Sequence, residues 1–73
     1  MDELEAAVRV LEEEGEPLHW TVIQDLALKR GYLDPFTRKD IRRRLIAALA
    51  AAAKRPDHPI RKTGKGVYTL QER

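Results

Sequence analysis

The chain contains no cysteine, no serine and no asparagine, and only four aromatic residues in 73. Without cysteine there are no disulfides, no thiolate nucleophile and no cysteine-based zinc site, a pattern that fits a reducing compartment. No apolar run approaches the roughly 20 residues needed to span a bilayer. The acidic start, Asp2, Glu3 and Glu5, is unlike a signal peptide. The expectation is therefore a cytoplasmic protein with no membrane partner. Histidine is also scarce. His19 and His58 stand alone, with no paired acidic motif around them, so no metal set, no cofactor and no catalytic constellation is expected. His19, beside Trp20, reads as a partly buried strand residue, and His58 as a loop residue. Gly64-Lys65-Gly66 lacks the rest of a phosphate-binding Walker loop. Trp20, Tyr32, Phe36 and Tyr68 are spaced as anchors of separate elements and not as a base-stacking platform. At 73 residues the chain reads as one domain, 1–73, with a small core and no deep cavity for a small-molecule substrate.

What the chain does have is charge, and it is sorted by position. Residues 1–16 carry seven acidic side chains against Arg9, a net of −6. Residues 17–36 balance. Residues 37–73 carry eleven basic side chains against Asp40, Asp57 and Glu72, a net of +8 within an overall +2. Such a dipole attracts a polyanion at one end and repels it at the other, so orientation can be set before contact.

The hydrophobic spacing gives the elements. Leu4, Ala7, Val8 and Leu11 recur at helical intervals, so residues 2–14 are predicted to form a first helix, ended by Gly15 and blocked by Pro17. Leu18-His19-Trp20 reads as a short strand. Thr21 is the expected N-cap of a second helix, residues 22–30, with Ile23, Leu26 and Ala27 inward and Gly31 as its stop. The link Tyr32-Leu33-Asp34-Pro35-Phe36 is longer than a minimal helix-turn-helix turn, and its three apolar residues are expected to anchor it. Thr37 and Asp40 resemble a capping box that opens a third helix, residues 37–54. Its core face holds Ile41, Leu45, Ala48, Leu49 and Ala52. The opposite face holds Lys39, Arg43, Ala47, Ala50 and Lys54, flanked by Arg42 and by an exposed Ile46. Basic residues at a helix N-terminus oppose the macrodipole, a conflict that an external anion relieves.

Pro56 and Pro59 close this helix and lead into a hairpin, residues 60–70. With Gly64-Lys65-Gly66 as the loop, Ile60 faces Leu70 and Lys62 faces Tyr68, while Arg61 and Thr63 lie on the other face. Helix, short strand, helix, helix and a two-stranded wing make a mainly α fold with a small β-sheet, the order of a winged helix-turn-helix. A basic helix followed by a basic wing points to phosphates. The candidate contacts to double-stranded DNA are Arg38, Lys39, Arg42 and Arg43 on the helix in the major groove, with Arg61 and Lys65 on the adjacent backbone. The competing expectation is a protein-interaction module of a transcription or DNA-processing assembly, using the strip Ile46, Ala50 and Ala53 and the acidic first helix. A lone winged helix contacts little DNA, so a homodimer is a further expectation.

Two segments carry a family resemblance. Gly15-Glu16-Pro17-Leu18-His19-Trp20 followed by Ile23, and Gly64-Lys65-Gly66-Val67-Tyr68-Thr69-Leu70, resemble the HARE-HTH domain, a winged helix of restriction endonucleases, chromatin-associated proteins and the bacterial RNA polymerase delta subunit. The resemblance covers most of the chain. It implies the winged-helix fold and DNA binding, with a transcriptional setting, and some relatives act through proteins. Residues 38–54 depart from the pattern in being more basic and richer in alanine.

Overall fold

The computed structural model describes residues 1–36 and 39–71. Thr37, the expected cap of the third helix, and Arg38, an expected DNA contact, lie outside the described residues. In chain order the elements are α1 (Glu3–Glu14), β1 (Leu18–His19), α2 (Trp20–Lys29), α3 (Ile41–Ala53), β2 (Ile60–Gly64) and β3 (Val67–Leu70).

α1 starts on a capping box that the hydrophobic spacing does not reveal. The Asp2 carboxylate accepts the Glu5 N–H at 2.8 Å, and the Glu5 carboxylate accepts the Asp2 N–H at 3.3 Å. Gly15 ends the helix at φ 67°, a left-handed turn that glycine makes without a Cβ penalty. Its buried face is wider than expected. Ala6, Ala7, Val10 and Leu11 are buried, while Leu4 and Val8 are only half-buried against the core. The cause is position: α1 packs against α2, α3 and β3 together, so one narrow stripe does not suffice.

α2 begins one residue before the expected cap. His19, not Thr21, is the N-cap: its backbone is extended, and its Nδ1 accepts the Thr21 N–H at 3.3 Å. The sheet sets this boundary, because His19 pairs with Val67 and the Trp20 N–H donates to the Gly66 carbonyl at 2.9 Å. At the other end Gly31 and Tyr32 donate to the carbonyls of Leu28 and Ala27, the paired bonds of a Schellman stop. Leu33 then buries fully and Tyr32 half, as anchors of the link. Phe36 does not. It is 96% exposed, and its N–H donates to the Asp34 carboxylate at 2.8 Å in an Asx turn.

α3 starts later than the capping-box reading placed it. Asp40 precedes the helix at φ 57°, in a left-handed conformation that a short polar side chain tolerates, and makes no side-chain capping bond. Lys39 thus lies ahead of the helix. Leu45, Leu49 and Ala52 are buried as expected, with Ile41 and Ala48 half-buried. Ile46, expected to be exposed, is half-buried, and Ala53 packs against the core instead of extending an outer strip.

The sheet has the antiparallel order β1-β3-β2, so the two-residue β1 closes the inner edge of the wing. The register is the expected one, Ile60 to Leu70 and Lys62 to Tyr68. Gly64, expected in the loop, instead pairs with Val67 after an irregularity between Lys62 and Gly64, leaving Lys65 and Gly66 as the turn. Ile60 and Tyr68 are buried and join the wing to the helical core.

Candidate nucleic-acid interface

The basic side chains of residues 37–73 have different fates, which their neighbours decide. Arg42, Arg43 and Arg44 fall in the first turn of α3, where no acidic residue offsets the positive end of the helix. Lys39 stands just before that turn, and all four are exposed. Arg44 approaches Glu3 at 4.0 Å, a loose pair between an open guanidinium and a nearly buried carboxylate. Among the described residues, Lys39, Arg43, Lys62 and Lys65 form no salt bridge.

α3 presents Arg42, Arg43, Ile46, Ala47 and Ala50 along an open groove of about 590 Å³, closed at one end by Asp40. Long cations stand at its N-terminal half and small alanines behind them, so an approaching surface meets charge first and then backbone at short range. Ile46, half-buried, is among the residues that line this groove.

Arg61, expected on the DNA backbone, is already engaged within the chain. Its guanidinium donates to the carbonyls of Ile60 at 2.7 Å, Pro56 at 3.2 Å and Arg55 at 3.3 Å, and also to that of His58. Those carbonyls belong to the segment between α3 and β2 and to the first residue of β2, and the Arg55 carbonyl also accepts the His58 N–H at 3.3 Å. Arg61 is thereby a clamp on the entry to the wing. Arg61 is half-buried with its guanidinium on these carbonyls, whereas Lys62 and Lys65 are exposed. Beside it, Arg55 pairs with Asp57 at 3.2 Å, which holds the Asp57 carboxyl below the usual range, and the His58 Nδ1 accepts the Ile60 N–H at 3.2 Å.

Sequence reasoning named Arg42 and Gly66 but missed their contacts with Trp20. Arg42 lies over the Trp20 ring, with its guanidinium carbon 5.2 Å from the centroid. Gly66, at φ 72°, sits so close to β1 and α2 that an added Cβ would come 2.7 Å from the His19 Nε2 and 3.1 Å from the Trp20 Cδ1. The G-x-G spacing marked a turn, but nothing in it marked a packing partner so distant in the chain.

The acidic end is organised otherwise. Arg30 bridges Glu13 and Glu14, both at 2.8 Å, the Tyr32 hydroxyl donates to Glu13, and Arg9 lies over the Tyr32 ring at 5.6 Å. The Tyr32 bond, with help from Arg30, holds the Glu13 carboxyl below its ordinary range, and the same bond pushes the Tyr32 phenol up. Among the described residues no group of three or more metal-binding side chains comes together, and no helix is long and apolar enough to cross a membrane.

Compared with known families, residues 1–72 match the profile of the HARE-HTH domain, described as a helix-turn-helix domain of ASXL proteins and restriction endonucleases, among others. No curated protein and no solved structure matches the chain significantly.

Proposed function

The chain belongs to the HARE-HTH family, and from that premise we propose that residues 1–73 act as one double-stranded DNA-binding module. In this reading α3 enters the major groove and the wing rests on the adjacent backbone. The observation that carries it is the set of exposed cations without acidic partners among the described residues, Arg42 and Arg43 on α3, Lys39 just before it and Lys65 on the wing, which share one sign of charge. Arg42 and Arg43 are placed to reach base edges or phosphates at the groove, Lys39 and Lys65 phosphates on either side. Arg61 supports the wing from within. The module performs no chemistry of its own, and its setting is wherever DNA is handled, in transcription or DNA processing.

One observation favours a second reading, contact with a protein. Phe36 projects almost fully into solvent from the α2–α3 link, and an exposed phenylalanine is a common interface anchor. The strip Ile46, Ala50 and Ala53 no longer serves that reading, since Ala53 is packed inward.

Titration of a labelled random duplex into folded protein at low salt tests the DNA reading, and light scattering on the same sample tests for a dimer. Ile46→Glu should abolish duplex binding by placing a carboxylate in the groove, with the mass unchanged. Phe36→Ser should leave duplex binding intact. Folded protein that ignores duplex at low salt, with Phe36→Ser dissociating an oligomer, would replace the DNA reading with the protein one.

A further inference from the structure

Trp20 is the first residue of α2, yet it touches both parts of the proposed interface. Its backbone N–H donates to the Gly66 carbonyl at the wing turn, and a Cβ added at Gly66 would come 3.1 Å from the Cδ1 edge of its ring. The His19 ring flanks it at 5.5 Å between centroids, tilted by 36°. Over the indole stands the guanidinium of Arg42 from α3. One residue therefore links the tip of the wing, through its backbone, to the second residue of α3, through its ring.

We propose that Trp20 is the positioning residue of a two-point phosphate clamp formed by Arg42 and Lys65, an inference that rests on the DNA-binding reading. A guanidinium carries its five N–H donors in its own plane, so stacking on an aromatic face leaves those donors open to phosphate oxygens. Arg42 is thus ordered before the ligand arrives and still able to bind it. Arg61 makes the contrast, because its donors already end on backbone carbonyls. Among the described residues Lys39 and Arg43 have no aromatic platform, so they lose more side-chain freedom on binding. Because the same indole abuts Gly66, the neighbour of Lys65, it also fixes how far the wing tip stands from α3.

The test is a double-mutant cycle read by anisotropy of a labelled duplex, using Trp20→Phe, Trp20→Leu, Arg42→Gln and the Trp20→Leu/Arg42→Gln double variant. Trp20→Phe keeps an aromatic face and should bind within about twofold of the parent. Trp20→Leu and Arg42→Gln should each weaken binding by about threefold to tenfold. The double variant should lose less than the product of the two single losses, since Trp20 and Arg42 act through one shared contact and only the Lys65 arm is lost in addition. Multiplying losses, or a Trp20→Phe as weak as Trp20→Leu, would overturn the clamp and make Trp20 a packing residue only. A measurement on folded protein without any Trp20 substitution runs beside it. Trp20 is the single tryptophan, so Arg42→Gln should change its emission in the absence of DNA, and an unchanged spectrum would also overturn the stack. If the parent protein binds no duplex, the DNA reading and the clamp fall together. If it binds but the cycle is additive, only the clamp falls.

Discussion

The two charged ends of this molecule look alike in sequence, each a dense run of one sign, and differ in structure. At the acidic end Glu13 and Glu14 are held by Arg30 and Tyr32, while Asp2 and Glu5 close a capping box. At the basic end Lys39, Arg43 and Lys65 face solvent without a carboxylate among the described residues. A charge run whose members bond inside the fold contributes to holding elements together. One whose members stay unneutralised costs self-repulsion and is relieved only by a ligand of opposite sign. Run membership alone does not decide which: Arg61 belongs to the basic segment but acts like the acidic end, joining two parts of the backbone.

The comparison breaks most visibly at two glycines. Gly66→Ala should destabilise the protein by about 2–4 kcal/mol, from a left-handed backbone and a Cβ forced against the His19 ring. Gly15→Ala at the end of α1 has the same sign of φ but open space around it, and should cost only about 1 kcal/mol. Urea denaturation of both variants checks the ranking, and equal losses would mean that the wing is not packed on β1 and α2 as described.

Next in size is the exchange between Arg43 and Arg30. Arg43→Ala should weaken duplex binding by about 1–3 kcal/mol on a preferred site, with stability changed by less than about 0.5 kcal/mol. Arg30→Ala should do the reverse, lowering the melting temperature and leaving duplex affinity as it was. A binding loss from Arg30→Ala would undo the division between the ends.

The fold was largely legible because it follows periodic signals. The α3 core positions Leu45, Leu49 and Ala52, the Gly31 stop and the wing register from Ile60 to Leu70 all came from spacing and turn chemistry, which act within a few residues. The misplacements came from long-range contacts. The α2 start moved because β3 pairs with His19, and the Gly64 pairing is a property of the closed sheet. Phe36 was misread because hydrophobicity alone does not tell that a link residue packs: it stands in an Asx turn with its ring exposed. In the site, charge sign was legible but partner identity was not: no local pattern tells that Arg61 reaches four carbonyls while Lys65 reaches none, or that Arg42 meets Trp20.

Two smaller effects sharpen the same contrast. Lys65→Ala should weaken all duplex sequences alike and lower the salt slope by about 0.9. The acidic end should respond to pH instead. The Glu13 carboxyl is depressed in the folded state, so its contribution is complete above the unfolded carboxylate value and is lost as pH falls through the folded one. The Tyr32 phenol is raised, so its contribution is complete below the unfolded phenol value and is lost as pH rises through the folded one. Melting temperatures should therefore decline at both extremes, and Tyr32→Phe should flatten the alkaline limb.

The salt dependence of duplex binding tests the central claim most directly. With Lys39, Arg42, Arg43 and Lys65 each neutralising one phosphate, log affinity should fall linearly against log salt with a slope between about −3 and −4. Arg30→Ala should leave that slope unchanged. A slope near zero in folded protein, or one that Arg30→Ala alters, would contradict the assignment of binding to the unneutralised cations of α3 and the wing.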